Sequence, residues 1–263
     1  MNDGVYQHFR KEERATIDQI ASYISEAELN YAPVLTDFFN PRERFIAQAL
    51  IGKNSAIQMA TQGGYPNADR KRVLFYPQYF EPQVEDFEIQ VLEVNYPVKF
   101  ASLHHGQILG ALVHSGITRD VLGDIITDGT RWQLIVEKKI APFLVSQFDR
   151  IGRTKVKLNP QTLAELLMPE SAWQEVHLLV SSQRIDSIIA SSYHLSRGKA
   201  KELIENAKVQ LNWMEVDRPD YVVSTRDIIS VRGYGRIRLD AILGTTHKGK
   251  LKAEMAIIRK ESI

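Results

Sequence analysis

The chain has 263 residues, 44% of them hydrophobic, with 33 Lys and Arg against 32 Asp and Glu and no cysteine. That length and apolar content support two or three buried cores, and the missing thiols exclude disulfides, thiolate nucleophiles and cysteine-based zinc sites, as suits a reducing compartment. The N-terminus lacks the basic start and apolar run of a signal peptide, and no stretch reaches the about 18 apolar residues that span a bilayer, so a cytoplasmic protein with no membrane partner is expected.

A net charge of +1 hides an asymmetry: residues 183–263 hold 15 Lys/Arg against 10 Asp/Glu, whereas residues 1–182 hold 18 against 22. The positive charge is concentrated at the C-terminal end.

From Tyr6 to about Gly63 apolar residues recur three and four apart (Ile17, Ile20, Ile24; Phe45, Ile46, Ala49, Leu50), which predicts a helical module over residues 1–75. Asn40, Pro41 and Glu43 read as N-cap, first-turn proline and capping partner of its second helix. Tyr23 and Tyr31 are read as packing residues. Within GGYPNADRKRVLFYPQYF, Arg70, Lys71 and Arg72 precede Phe75, Tyr76, Tyr79 and Phe80. Cations beside rings suit single-stranded RNA, so the three basic residues form a secondary candidate site; a linker with half-buried aromatics would carry the same residues.

Residues 76–165 alternate. FEIQVLEVNY reads as a strand, HHGQILGALVHSG as a helix, VLGDIITDG and TRWQLIVEK as strands about an Asp-Gly turn, KIAPFLVSQFDRIG as a helix and TKVKLN as a last strand. The order βαββαβ is the ferredoxin-like arrangement, which some RNA-binding domains share, although the aromatic strand signature of an RNA-recognition motif is missing. His104, His105 and His114 lack a carboxylate at ligand spacing; no metal is expected, and the first two are read as starting the helix. LNPQTLAELLMPESAWQ reads as a connector with a short helix between Pro160 and Pro169, and HLLVSS as a further strand.

In the last domain, residues 176–263, Ile185, Ile188 and Ile189 mark one amphipathic helix and Ala200, Leu203, Ile204 and Ala207 a second. Ser196 is its N-cap. Arg197 and Lys199 follow in its first turn and Lys201 one turn on, where cations oppose the helix dipole at a cost of a few tenths to about 1 kcal/mol. A phosphate docked on the free N–H groups would reverse that penalty. In STRDIISVRGYGRIR, Gly233 and Gly235 loosen a loop in which Tyr234 lies among Arg232, Arg236 and Arg238, a composition suited to stacking a base and gripping its backbone. RIRLDAIL and KLKAEMAI alternate strictly around THKG and predict a hairpin. The fold class is therefore α+β: a helical module, a ferredoxin-like domain, and a C-terminal domain of two helices plus a β-hairpin.

The string of Arg184 and Asp186, then Ser196, Arg197, Ala200, Leu203, Ile204, Val209 and Asn212, then Pro219, Asp227, Ile229 and Val231 resembles the RNA-binding domain named after ribosomal small-subunit protein four. Trp213 stands where that family often has Gly, and Arg226 where it has the Gly of a Gly-Asp turn. Arg184 joins the candidate RNA-binding residues through this pattern. The whole chain resembles the YlmH family of bacteria. The resemblance implies a protein without cofactor that binds ribosomal RNA or tRNA on the large ribosomal subunit, acts in ribosome-associated quality control of peptidyl-tRNA-obstructed subunits, and is often encoded beside cell-division genes.

Other readings are a division protein acting mainly through protein contacts and an accessory factor in RNA modification. Pseudouridine synthases share the small domain, and Arg238–Asp240 superficially matches their aspartate motif, but only 23 residues follow Asp240. Neither a synthetase HIGH or KMSKS string nor a Walker-type loop is present, so neither catalysis nor a small-molecule substrate is expected.

Overall fold

The computed structural model describes residues 9, 11–52, 56–168, 173–212 and 214–259. They fall into two compact units, 1–169 and 170–263.

The first unit opens with helix α1 (Arg14–Asn30), strand β1 (Val34–Phe39), helix α2 (Pro41–Ile51) and strands β2 (Ile57–Gln62) and β3 (Lys71–Pro77). The cap predicted for α2 is present: Asn40 Oδ1 accepts from Arg42 N and Glu43 N at 2.8 and 3.0 Å, and Glu43 Oε2 accepts from Asn40 N at 2.6 Å. The module is not purely helical, because β1, β3 and β2 form an antiparallel sheet in that order. Its middle strand is buried on both sides. Val73 and Phe75 pack with Ile17, Ile20 and Ile46 beneath the helices, which hides any alternation that would mark a strand. Tyr6, from which helix was expected, lies outside the described residues.

Strand β4 (Ile89–Asn95), helix α3 (His105–His114), strands β5 (Leu122–Thr127) and β6 (Trp132–Glu137), helix α4 (Ala141–Gln147), the small hairpin of β7 (Arg150–Ile151) and β8 (Thr154–Lys155), and strand β9 (Lys157–Gln161) follow. The sheet order β5-β6-β4-β9, antiparallel throughout, is the ferredoxin-like arrangement predicted by the βαββαβ order. His104 is the N-cap of α3 and His105 its first residue. Apolar residues of α3 and α4, Ile108, Leu112 and Leu144 among them, pack on Leu92, Val94, Leu134 and Val136. The connector departs from expectation. Pro160 belongs to β9, the helical turn is the short 3-10 segment Leu163–Glu165, and Leu166 and Leu167 are buried in this unit; Pro169 lies outside the described residues.

The second unit holds strand β10 (Gln174–Val180), helices α5 (Ile185–Tyr193) and α6 (Arg197–Glu205), and strands β11 (Val209–Leu211), β12 (Met214–Glu215), β13 (Ile228–Val231), β14 (Gly235–Thr245) and β15 (Leu251–Arg259). Both helices and the β14–β15 hairpin were expected. They belong to a larger sheet, ordered β10-β15-β14-β13-β11-β12. Ile188, Ile189, Ala200, Leu203 and Ile204 of the helices pack on Ile229, Val231, Ile237, Leu239, Met255 and Ile257 of the sheet.

Candidate nucleic-acid interface

The N-termini of α5 and α6 are finished differently. At α5, Ile185 N donates to Tyr221 O at 2.8 Å and Asp186 N to Pro219 O at 3.2 Å, so the returning chain satisfies the helix start. At α6, Ser196 Oγ accepts from Lys199 N at 3.1 Å, the predicted cap, and no described residue accepts from Arg197 N or Gly198 N. Gly198 is exposed, and an added Cβ there would meet nothing nearer than Ser196 Oγ at 3.9 Å. The first turn of α6 is therefore open to an anion.

The cations of that turn are not idle, which corrects the dipole argument made from sequence. Asp186, fully buried, accepts from Arg184 Nε and NH2 at 3.1 and 3.0 Å and from Arg197 NH2 at 3.2 and 3.1 Å. Burial pushes the Asp186 carboxyl up, and the hydrogen bonds and charges of the two guanidiniums outweigh that and hold it below the usual carboxylate range. Lys199 Nζ reaches Glu202 at 2.9 Å, which raises its pKa. Two arginines on one carboxylate leave one positive charge, and Arg197 is half exposed, so its remaining guanidinium donors can turn outward while Asp186 holds NH2.

Lys201 and Arg232 are exposed and have no ion-pair partner among the described residues; Lys208 is in the same condition. Arg232 N donates to Lys208 O at 2.8 Å, which brings these two residues together. Tyr234 is half buried, its ring 5.4 Å from that of Tyr193 at the end of α5; the Tyr193 hydroxyl has no hydrogen-bond partner among the described residues, and burial pushes its pKa up. Gly235 has φ 133°, and a Cβ there would lie 1.9 Å from Ile258 O, so only glycine lets the loop pass β15.

The nine candidates do not form one cluster. Ile237 and Leu239 point into the core, so Arg236 and Arg238, alternating with them, occupy the face of the sheet opposite α5 and α6. Arg238 is held there by Asp240, with Nε to Oδ1 at 2.7 Å, and lies 5.0 Å over the Trp173 ring. Asp240 also takes Arg226 NH1 at 2.6 Å and is thus occupied as a counter-ion. Arg184, Ser196, Arg197, Lys199, Lys201, Arg232 and Tyr234 remain on the helix side.

The secondary candidates are placed mainly in the interior. Arg70 is 3% exposed, donating to Leu122 O at 2.9 Å and Phe38 O at 2.6 Å. Arg72 is 4% exposed, donating to Thr36 O at 2.8 Å and to Phe87 O and Glu88 O at 3.1 Å. Lys71 Nζ, nearer the surface, caps Pro66 O at 2.6 Å. Arg70 and Arg72 are consumed by carbonyls far along the chain, which sequence proximity to aromatic residues could not show.

A profile described as "YlmH, N-terminal" matches residues 12–80, one described as "Putative RNA-binding domain in YlmH" matches 82–165, and one described as "S4 domain" matches 183–229. The ribosome-associated protein quality control protein P2 of Bacillus subtilis (strain 168) is 40% identical over 246 residues, 94% of this chain and 95% of that protein. The chain belongs to the YlmH family. A solved structure, the cell division protein ylmH from Streptococcus pneumoniae, is 34% identical and superposes with a TM-score of 0.54 over 62% of this chain and 99% of that one. The S4 match ends before Arg232, so the Tyr234 loop lies beyond the part of YlmH that this profile covers. Within the match, Arg226 has φ 68°, the left-handed backbone that explains a glycine preference there. Trp213, the other departure, lies outside the described residues.

Proposed function

We propose that the chain is a non-catalytic RNA-binding protein of ribosome-associated quality control, engaging large ribosomal subunits that carry obstructed peptidyl-tRNA. The observation that carries this reading is the open N-terminus of α6, where no described residue accepts from Arg197 N or Gly198 N, with half-exposed Arg197 in that turn and exposed Lys201 one turn on. Backbone donors, a helix dipole and adjacent cations suit an RNA phosphate, and Arg232 with Lys208 at the far end of α6 and Tyr234 against Tyr193 add further cations and a ring. The name of the Bacillus subtilis relative supports the assignment to quality control.

The test is co-sedimentation of the full chain with purified large subunits, empty or carrying peptidyl-tRNA. Salt-sensitive binding that favours the loaded subunit is expected, with crosslinks to ribosomal RNA or tRNA from residues 197–201 and 232–234. Sedimentation free of subunits at low salt would refute it. It would then favour the reading suggested by the pneumococcal neighbour's name, a division protein working through protein contacts.

A further inference from the structure

A ferredoxin-like sheet that reads RNA uses the face its helices leave bare, where side chains of the middle strands stack unpaired bases. In the central domain that face is closed. The helices cover Leu92, Val94, Leu134 and Val136, and on the other side of the same strands Val91 and Ile135 pack against Phe38, Leu166 and Leu167. Gln133, fully buried, accepts from Leu167 N at 2.8 Å and donates to Glu165 O at 3.0 Å. Gly123 sits so close beneath the first module that a Cβ would lie 2.9 Å from Phe38 and Ile135. All six residues of β6 are buried. No base reaches these strands while the two modules stay packed.

The free cations of this domain gather elsewhere. Between α4 and the edge strand β9 the chain reads RIGRTKVK, four cations in eight residues with no acid. Ile151, Val156 and Leu158 turn into the core, whereas Arg150, Arg153, Lys155 and Lys157 are exposed and have no ion-pair partner among the described residues. Lys157 pairs with Asn95 at the end of β4, and just beyond Asn95 the chain turns, Phe100 N donating to Pro97 O at 2.9 Å. That turn puts Lys99 in solvent beside Phe100, which is 89% exposed. Like charges held together without counter-ions repel one another, and a bare ring loses by contact with water. A phosphodiester backbone with an unstacked base relieves both at once.

We propose that the central domain binds RNA through this basic hairpin end, with Arg150, Arg153, Lys155 and Lys157 on the phosphates and Phe100 stacked on a base, and not through its sheet. The proposal rests on the RNA-binding reading above and adds a second contact in the other unit of the chain.

The test is the affinity of the full chain, as a function of salt, for labelled large-subunit ribosomal RNA and separately for tRNA. The variants are Phe100→Ala and the quadruple Arg150→Ala/Arg153→Ala/Lys155→Ala/Lys157→Ala. All five side chains are exposed, and amide exchange of β4 and β6 checks that the core is intact. Loss of four phosphate contacts should lower the slope of log K against log salt by roughly 3, and loss of the stacked ring should weaken binding about fivefold or more. The RNA on which these losses appear is the one the hairpin holds. The proposal is overturned if both variants bind both RNAs as the wild type does while Lys201→Ala/Arg232→Ala weakens binding. A wild type that binds neither RNA overturns the underlying reading as well.

Discussion

Replacing Asp186 by Asn tests how the α5–α6 corner is built. The carboxylate is fully buried and takes four contacts of 3.0–3.2 Å from Arg184 and Arg197. The amide keeps one acceptor oxygen and turns an NH2 group toward a guanidinium, so roughly half the contacts are lost. A hydrogen bond to a charged group contributes about 1.5–3 kcal/mol, but both arginines are part exposed and regain water when released. A loss of about 1–2 kcal/mol is therefore expected in the second unit at pH 7. The pH dependence follows from the depressed Asp186 pKa. The contribution is complete above the unfolded aspartate value of about 4 and fades as pH falls through the lower folded value. Urea unfolding read by amide exchange in α5 and α6 should show wild type and Asp186→Asn well separated at pH 7 and converging in acid. Equal stability at pH 7, or a gap that persists undiminished in strong acid, would refute the reasoning.

Gly235→Ala should cost about 3 kcal/mol or more in the second unit by chemical denaturation, since the new Cβ would collide with Ile258 O. Gly233→Ala, at φ 92° but with open space around it, should cost only about 1 kcal/mol, so equal losses would deny the collision. Arg70→Met should destabilise the first unit by about 2–5 kcal/mol, because Leu122 O and Phe38 O lose their donor, while the salt dependence of RNA binding stays as in the wild type. Arg226→Gly relieves left-handed strain of about 1 kcal/mol and loses a half-exposed pair to Asp240, which keeps Arg238 as its counter-ion, worth about 1 kcal/mol. Thermal melting should find it neutral or slightly more stable, and a clear loss would give the pair more weight than its exposure allows.

Although Arg150 and Ile151, read as the end of a helix, pair with Thr154 and Lys155 as the β7–β8 hairpin, most elements of the central domain were legible because periodicity and an Asp-Gly turn agreed in sequence. Around Asp128 that turn is held by its carboxylate accepting from Thr130 N and Arg131 N at 3.0 and 2.8 Å. The strands of the first module were not legible. Ile57–Gln62 has no strict alternation, and Lys71–Pro77 is buried on both faces, so both owe their form to pairing with each other. The fate of Arg70 depended on Leu122, 52 positions away, and that of Arg197 on Asp186, across a helix–turn–helix corner. The placement of Arg236 and Arg238 on the face opposite Ile237 and Leu239 was written in the alternation of β14, which composition alone obscured, whereas Arg232 and Tyr234 lie in the turn before that strand. The basic run from Arg150 to Lys157 was visible in sequence too, but its meaning required knowing that the sheet beside it is covered.

The central claim is that the helix side of the second unit holds RNA by its phosphates. The most direct measurement compares the salt dependence of RNA affinity for the wild type and for Lys201→Ala/Lys208→Ala/Arg232→Ala, three exposed changes that spare the Asp186 corner. If the claim is right, the slope of log K against log salt falls by about 2–3 and affinity drops across RNA sequences alike. An unchanged slope with unchanged affinity would contradict it.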